Sequence, residues 1–247
     1  MPRFFVPSAN FDGDTVRITG DDARHIARAL RMAVGETVTV CDMHGTTHTC
    51  VLEKITDDGS TARIVESVPS DTEPPYPITL YQAFPKGDKM ELIIQKAVEL
   101  GACEIVPVMT KRTVVKLSEE KKINKRLERW QSIAYAAAKQ CDRGIIPTVH
   151  KPVSYEEALA MADQLDYNVI PYELQTGMEE ARKIVDQACK QRSLGIFIGP
   201  EGGFEPEEVE RAMTRNIHPM TLGKRILRTE TAGMALLSIL MFQMQGE

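Results

Sequence analysis

The sequence predicts an α/β protein in which a small β-rich unit precedes a larger unit of alternating strands and helices. Short runs of alternating apolar and polar residues fill roughly the first 70 positions, and strand patterns then alternate with helix patterns to the end of the chain. Between them lies VPSDTEPPYP (residues 68–77), whose four prolines cannot continue a helix or a central strand. In a chain of 247 residues we therefore expect two domains, at residues 1–72 and 76–247.

The first unit is predicted to be a small β-barrel with one inserted helix. Strand-like alternation occurs in five segments, which are RFFV, TVRI, TVTVCD, THTCVLEKI and TARIVESV. The helix DDARHIARALRM begins with two aspartates, which suit the positive end of a helix dipole. Helical spacing places Arg24, Arg28 and Arg31 on one face of this helix.

One segment of this unit, CDMHGTTHTC (residues 41–50), could be drawn as a zinc site with two cysteines and two histidines. Its flanks alternate as strands do and its HG pair suits a turn, so a β-hairpin is the better interpretation. The spacing also differs from the paired-knuckle pattern of zinc sites. We predict a hairpin and no metal.

The second unit is predicted to be a mostly parallel sheet covered by helices. The predicted strands are ITLYQAF, EIVPVM, TVHKPV, YNVIPY, LGIFIGP and HPMTLG. The predicted helices are DKMELIIQKAVELG, residues 118–141, SYEEALAMA, MEEARKIVDQACK, the acidic segment after GPEGG, and TAGMALLSILMFQM. Ligands of such sheets lie beyond the carboxyl ends of the strands, which directs attention to the loops GPEGGFEP and LGKRILRTET.

The first of these loops contains Gly199, Gly202 and Gly203, which allow the backbone to approach a ligand closely. It matches neither GxGxxG nor GxxxxGK[ST], the patterns of nucleotide-binding loops. A tight strand-to-helix turn with ordinary capping is the alternative interpretation of so short a motif.

Carboxylates follow the glycines at once. Pro206 suits the first position of a helix, with Glu205 as its cap and Glu207 and Glu208 in its first turn. Together with Glu201 they would repel a phosphate. The loop therefore favours a neutral or cationic ligand, and a sulfonium cofactor such as S-adenosylmethionine meets that description.

The second loop places Gly223 after a strand and follows it with three cations, which are Lys224, Arg225 and Arg228. A helix capped by Thr229 or Thr231 comes next, and it is apolar on nearly every face. Such a helix is buried in a core or in a subunit interface. Arg228 could form a salt bridge to Glu201 or Glu230, or it could be a cation beside a reacting group.

Composition narrows the function classes. The net charge of −5 does not by itself indicate a nucleic-acid partner. The longest apolar run, AGMALLSILMF, is shorter than the roughly 20 residues that a membrane helix needs. The N-terminus has no signal-peptide pattern, and the five cysteines are odd in number and lack CxxC. We expect a cytoplasmic protein with free thiols.

The segments IGPEGGFEPEEVE and LGKRILRTETA resemble the signature pair of the SPOUT-class methyltransferases, and more narrowly the bacterial 16S rRNA uridine-N3 methyltransferases (RsmE type). Further segments occur in that family's order, namely MPRFFV, HIARALRM, KGDKMELIIQKAVELG, KRTVVKL and AAAKQCDRGIIPTV. The resemblance covers the whole chain. Lys224 stands where the family has proline, and Lys139 and Asp142 depart from its EQCGR or EQSGR segment.

The resemblance implies a PUA-like β-barrel that binds RNA, followed by a SPOUT-like catalytic domain with a C-terminal trefoil knot. It also implies a homodimer with the site near the interface. S-adenosylmethionine would be held by the knot loops, with its adenine against the backbone at Leu222, Ile226 and Leu227. The implied cofactor-binding residues are Ile198, Gly199, Glu201, Gly202, Gly203, Leu222, Gly223, Ile226 and Leu227.

The implied reaction is methylation of a uridine at ring N3 in the 16S rRNA of the 30S subunit. That nitrogen must lose its hydrogen, and negative charge then spreads to two neighbouring oxygens, so the site needs a proton acceptor and a cation. We predict Arg228 as the cation and Glu230 as its orienting partner or as the proton acceptor. The target should be unpaired or flipped out.

Phosphate contacts would position the RNA. Our candidates are Arg3, Arg24 and Arg31 in the first domain and Arg112, Lys116 and Arg143 in the second, and an ordinary salt bridge is the alternative for each.

Three other functions are weighed against this one. The enzyme could be a SPOUT methyltransferase with another RNA target, or the chain could be a non-catalytic ribosome-assembly factor. The intact GPEGG and ILRTETA segments argue against the latter. A nucleotide-dependent phosphotransferase is disfavoured because no phosphate-loop lysine follows the glycines.

Overall fold

The computed structural model describes residues 1–113 and 120–244, which divide into two compact units. The first unit contains Met1–Glu73 and Ala138–Ile146, and the second contains the rest of the described chain. Residues 138–146 therefore belong by their contacts to the first unit, although they follow several elements of the second in sequence.

The first unit contains one six-stranded sheet and a short helix. Its elements are β1 (Arg3–Phe5), β2 (Phe11–Asp12), β3 (Thr15–Thr19), α1 (Gly20–Arg24), β4 (Thr37–Cys41), β5 (Thr46–Lys54) and β6 (Gly59–Pro69). The strand order is β1-β4-β5-β6-β3-β2, with β1 and β4 parallel and the other pairs antiparallel.

This pairing runs as an open path from β1 to β2, so hydrogen bonds do not close the sheet into the predicted barrel. The strands nevertheless share one core, because alternate residues of β1, β3, β4, β5 and β6 point inward. Phe4, Val16, Val38 and Ala62 are fully buried there. The alternation that predicted these strands thus also identified their inward faces.

The predicted hairpin is confirmed. Strands β4 and β5 pair in antiparallel register around a turn at residues 42–45. The Asp42 carboxylate accepts the N–H groups of His44 (2.7 Å) and Thr46 (3.0 Å), which fixes the turn. Burial in the core raises the pKa of the Cys50 thiol to about 11, so this cysteine packs as an apolar side chain.

The helix predicted over DDARHIARALRM ends earlier than expected. After α1 the chain continues as a π-helical segment, His25–Ala29. It then closes through a hydrogen bond from the Met32 N–H to the Ile26 carbonyl (3.1 Å), across the wide ring typical of a helix end. Arg31 lies inside this closure with φ at +52°. It is therefore outside the helix face that it was predicted to share with two other arginines.

The second unit is a seven-stranded sheet flanked by helices. Its elements are β7 (Ile78–Ala83), α2 (Lys89–Glu99), β8 (Glu104–Met109), α3 (Glu120–Gln140), β9 (Thr148–Val149), β10 (Val153–Ser154), α4 (Tyr155–Ala162), β11 (Tyr167–Pro171), α5 (Met178–Ala188), β12 (Leu194–Ile198), α6 (Pro206–Thr214), β13 (Ile217–Met220) and α7 (Thr229–Met244). The last residues of α3 belong to the first unit.

All pairs in this sheet are parallel, as predicted. The order is β10-β8-β7-β12-β11-β13, with β9 beside β8, so β7 and β12 are central strands and every residue in them is buried. The rings of Tyr81 and Phe197, one on each of these strands, stack at 4.4 Å. The loops after β7, β8, β11, β12 and β13 consequently lie at one edge of the sheet.

Two local expectations differ from the structure. The predicted strand TVHKPV is divided into two short strands, β9 and β10. Helix α7 starts at Thr229, so the cap position falls on Arg228 and not on Thr229 or Thr231. In the described part of the chain, no helix is both long and apolar enough to cross a membrane.

Candidate functional site

Both glycine-containing loops lie at the carboxyl edge of the parallel sheet and line one cavity. Its volume is about 590 Å³, within the range of roughly 300–1,000 Å³ found for small-molecule sites. Tyr172 and Glu173 after β11 and Lys89 at the start of α2 contribute to the lining. The predicted residues that line it are Ile198, Gly199, Glu201, Gly202, Gly203, Leu222, Gly223, Ile226, Leu227 and Arg228.

Close packing requires two glycines of the first loop. A Cβ at Gly203 would lie 2.5 Å from a carboxylate oxygen of Glu173, and Gly203 has φ at +70°. A Cβ at Gly199 would lie 3.1 Å from the buried ring of Phe204. These glycines therefore let the loop pack tightly against Glu173 and Phe204 of the same chain. This reason for the glycines does not require a bound phosphate.

Helix α6 begins as predicted, with Glu205 as its N-cap and Pro206 at its first position. The Glu205 N–H donates to the Glu208 carboxylate at 2.9 Å. Glu208 also accepts the N–H of Lys111 at 2.9 Å, and only 1% of it is exposed. The Glu208 carboxylate thus accepts hydrogen bonds from backbone N–H groups of the protein itself.

Arg112, a predicted RNA contact, is held by this loop. Its Nε and Nη2 donate to the two carboxylate oxygens of Glu205 at 2.9 and 3.1 Å. A third donor, Nη1, is hydrogen-bonded to the carbonyl of Gly202. The hydrogen bond from Arg112 lowers the pKa of Glu205. Arg112 therefore fastens the glycine loop and the start of α6 to the loop after β8.

Lys89 supplies a cation that the sequence analysis did not identify. Its Nζ lies 3.3 Å from Glu201 Oε1 and 3.3 Å from Glu230 Oε2. Glu201 Oε1 also accepts the N–H of Lys86 at 3.0 Å. Lys89 therefore joins the glycine loop to the first turn of α7.

The charges of Lys89, Glu201 and Glu230 stabilise one another. Burial acts to lower the pKa of Lys89, but Glu230 and Glu201 outweigh it, and the pKa lies above its ordinary value. For Glu201, burial acts to raise the pKa, but backbone N–H groups and Lys89 outweigh it and the pKa is lowered. A lysine in the first turn opposes the helix dipole, at a cost of about 0.3–1 kcal/mol. That unfavourable position is the sequence signal that could have identified Lys89.

The two predicted catalytic residues do not pair with each other. Glu230 is ion-paired with Lys89 through its buried Oε2. Arg228 is exposed, lines the cavity, and forms no ion pair or side-chain hydrogen bond within the described ranges. The expected bridges from Arg228 to Glu201 or Glu230 are therefore not formed, and its guanidinium can meet a ligand.

A buried polar connection that the sequence analysis missed lies beneath the cavity. The Gln82 amide on β7 donates to the Thr229 hydroxyl at 2.8 Å, and that hydroxyl donates to the Gly199 carbonyl at 2.6 Å. Gln82 is completely buried and Thr229 nearly so. A central strand, the glycine loop and the start of α7 are thereby tied together.

The other predicted RNA contacts have varied surroundings. Arg3 donates to Asp142 (3.1 Å), to the Cys41 sulfur (3.0 Å) and to the Arg143 carbonyl (3.2 Å). Arg143 is 2% exposed and donates to Glu73, so it has almost no surface for a phosphate.

Arg24 and Arg31 are exposed, and Arg24 is ion-paired with Asp21. Lys116 lies outside the described residues. Among the described residues, no group of three or more histidines, cysteines and acidic residues is placed to hold a metal ion.

Comparison with known proteins gives two family matches and a set of named relatives. A family model described as an RNA methyltransferase domain matches residues 72–241, and one described as an RNA methyltransferase PUA domain matches residues 18–65. The ribosomal RNA small subunit methyltransferase E of Bacillus subtilis is 36% identical over 98% of this chain and 97% of its own. The same-named protein of Mycobacterium tuberculosis is 32% identical over 93% and 87%.

Two solved structures are similar over 98% of this chain. The ribosomal RNA small subunit methyltransferase E of Neisseria gonorrhoeae, bound to S-adenosylmethionine, is 34% identical with a TM-score of 0.82 over 98% of its chain. A methyltransferase of Legionella pneumophila in complex with the same cofactor is 30% identical with a TM-score of 0.83 over 97% of its chain.

Proposed function

The chain belongs to the RNA methyltransferase family, and we propose that it methylates a uridine at ring N3 in the 16S rRNA of the small ribosomal subunit, with S-adenosylmethionine as methyl donor. Its relatives are named as methyltransferases of small-subunit ribosomal RNA. The observation that carries the proposal is the meeting of GPEGG and LGKRILRTET around one cavity.

The chemistry of the cavity suits this cofactor. S-adenosylmethionine has a sulfonium and an ammonium group but no phosphate, and the lining includes the carboxylates Glu173 and Glu201. When bound, it supplies an electrophilic methyl group. We assign its methionine and ribose side to Ile198 and to the glycine loop (Gly199, Glu201, Gly202 and Gly203), and its adenine side to the backbone of Leu222, Gly223, Ile226 and Leu227.

Two residues are assigned to the reaction itself. Uracil N3 must lose its proton to act as a nucleophile, and we assign Glu230 as the acceptor of that proton. Arg228 then stabilises the negative charge on a neighbouring oxygen. Glu230 Oε2 is buried 3.3 Å from Lys89 Nζ, whereas the guanidinium of Arg228 has no carboxylate partner among the described residues. Arg228 is thus available to substrate, while Glu230 is held in place by Lys89.

The proposal also covers the topology of the second domain and the limits of both domains. We assign a trefoil knot to the end of the second domain, with domain limits at residues 1–72 and 76–247. The family resemblance supports the knot, and the matches of the RNA methyltransferase and PUA domain models to residues 72–241 and 18–65 support the two domains.

The partners follow from the reaction. The proposed substrate is 16S rRNA within the 30S subunit, which places the activity in the cytoplasm, and Arg24 and Arg31 are exposed candidates for RNA contact. We also propose a homodimer. Its support is apolar surface on two helices that pack together, with Leu92 of α2 and Ile239 and Phe242 of α7 exposed.

The test is transfer of a labelled methyl group from S-adenosylmethionine to unmethylated 30S particles and to naked 16S rRNA, followed by identification of the product nucleoside. We expect label in 3-methyluridine, with particles as the better substrate. Label in another nucleoside would overturn the uridine-N3 assignment and favour a different RNA target. Absence of both label and cofactor binding would favour an assembly factor.

A further inference from the structure

The cavity carries opposite charges on two parts of its lining. Glu173 and Glu201 lie on the side of the loops after β11 and β12, whereas Lys224, Arg225 and Arg228 lie on the loop after β13. We call residues 224–228 the basic segment. All three of its cations are exposed.

The cations of the basic segment differ from others at the site in having no partner among the residues that the structure describes. Lys89 is paired with Glu201 and Glu230, and Arg112 with Glu205. By contrast, none of the three cations forms an ion pair or a side-chain hydrogen bond within residues 1–113 and 120–244. Three uncompensated positive charges within five residues stand out on a chain whose net charge is −5.

The segment is anchored at both ends and free between them. Before it, the N–H of Gly223 donates to the Thr221 hydroxyl at 3.2 Å, and Gly223 has φ at +110°. After it, Thr229 is held through Gln82 and Gly199. The backbone positions of Lys224 and Arg225 are thus limited by fixed neighbours, while their side chains face solvent.

A cationic cofactor does not explain these charges. S-adenosylmethionine bears two positive groups and one carboxylate, so unpaired cations on the same cavity oppose its binding. A polyanion beside the cavity would neutralise them, because lysine and arginine bind phosphates with release of counterions. Arginine is also suited to bidentate contact with a phosphate.

We propose that Lys224 and Arg225 bind phosphates of the RNA strand next to the target nucleotide. This inference rests on the proposed function and extends it, because it places the RNA backbone at the basic segment instead of at Arg112 or Arg143, whose donors are engaged within the protein.

The test compares wild type with the double variant Lys224→Gln/Arg225→Gln. Binding of small-subunit rRNA is measured at several monovalent salt concentrations and fixed magnesium, and S-adenosylmethionine binding is measured by calorimetry. The double variant should bind RNA on the order of tenfold more weakly. The slope of log affinity against log salt should fall in magnitude by about 1.4, or about 0.7 for each single-strand phosphate that the variant no longer neutralises. The cofactor should bind equally well or more tightly, whereas a loop damaged by the substitutions would bind both ligands more weakly.

The matched control is Lys190→Gln/Arg192→Gln. These exposed residues precede β12 and therefore lie at the amino end of the parallel sheet, opposite the cavity. This variant removes the same amount of charge, and its RNA affinity and salt slope should change far less.

Three outcomes would overturn the inference. These are unchanged RNA affinity and salt slope in the Lys224/Arg225 variant, an equal loss in the control, and a loss of self-association in place of RNA binding, which would identify the partner as a second copy of the chain. The proposed function is tested separately by wild type. If wild type forms 3-methyluridine while the double variant binds RNA normally, only the inference fails.

Discussion

At the scale of single residues, Lys89 balances the charges of two carboxylates at the site. It is the cation shared by Glu201 of the glycine loop and Glu230 of α7. Without it, the carboxylates of Glu201 and Glu230 would lose the cation that lies 3.3 Å from each of them. Lys89 is therefore a positioning residue that holds Glu230 beside the glycine loop.

Replacing Lys89 by methionine tests this role, because methionine keeps length and apolar volume but removes the charge. We expect kcat at neutral pH to fall about tenfold or more, since proton acceptors typically contribute about 100-fold or more to rate. Lys89→Arg keeps the charge and should therefore retain most of the wild-type kcat.

The control for this variant is Lys96→Met on the same helix, where Lys96 pairs with Glu99 at 2.7 Å. It should leave kcat unchanged. Equal losses of kcat in Lys89→Met and Lys89→Arg would show that the charge of Lys89 does not matter and that Lys89 has only a structural function.

Arg112 holds the backbone of the glycine loop at the proposed cofactor site. Its removal in Arg112→Gln frees Glu205 and the Gly202 carbonyl, so the glycine loop should become less ordered. We expect the dissociation constant for S-adenosylmethionine to rise severalfold, as measured by calorimetry. Lys111→Gln is the control, because the ion pair that Lys111 forms within the described part of the chain is with the exposed side chain of Glu207. Its loop contact is made by its backbone. An equal effect of both variants would contradict this assignment.

The pH dependence of the Arg112 contact has a defined sign. Arg112 lowers the pKa of Glu205 from its ordinary 4.5. The stabilisation is therefore fully present above about pH 4.5 and is lost as pH falls through the lowered value. Cofactor affinity should show no change from this pair between neutral and mildly acidic pH.

At the scale of elements, the sequence predicted strands and helices well where a pattern repeats. Period-two alternation identified five of the six strands of the first unit and missed the two-residue β2. The start of α6 followed from Pro206 after Glu205. The parallel sheet placed two loops at one edge, as expected. The patterns could not show Lys89 between two carboxylates or Arg143 inside the first unit, because those contacts join segments far apart in sequence.

Alanine substitutions at two glycines, one in β12 and one in α7, should have opposite effects on stability. In β12, a Cβ at Gly195 would lie 2.0 Å from Asn168 Oδ1 and 3.1 Å from Tyr81. Gly195→Ala should therefore lower the free energy of unfolding by about 1–3 kcal/mol, as overpacking of a core does.

The matched substitution is Gly233→Ala in α7. There a Cβ would meet Ile198 at 3.6 Å and Leu80 at 3.8 Å, which are ordinary contacts. Because glycine in a helix costs about 0.5–1 kcal/mol relative to alanine, this variant should be as stable as wild type or more so. Denaturant unfolding of both variants measures the contrast, and destabilisation of equal size in the two would contradict it.

At the scale of the whole molecule, one side of α7 packs in the core of the second unit and its other side is exposed. Its inner residues Gly233, Leu236, Leu237 and Leu240 are buried against the sheet side of the unit. Its outer surface exposes Ile239 and Phe242, the latter at 84%. The sequence predicted a helix that is apolar on nearly every face, but burial in a core and burial in a subunit interface leave the same pattern. The structure separates the two by showing which apolar residues the single chain leaves uncovered.

The proposed homodimer makes this outer surface an interface, and Phe242→Glu tests it. A charge placed among desolvated apolar side chains carries a large penalty, so we expect the dimer dissociation constant to rise about a hundredfold, equivalent to about 2.7 kcal/mol. Light scattering during size-exclusion chromatography at low micromolar concentration should then find monomer for the variant and dimer for wild type.

Met213→Glu on α6 is the control, because Met213 is also exposed, at 54%, but lies on another helix. If both variants remain dimeric, the dimer forms through a different surface. If the Phe242 variant is monomeric and also loses methyl transfer while keeping its fold, the second copy is needed to complete the site.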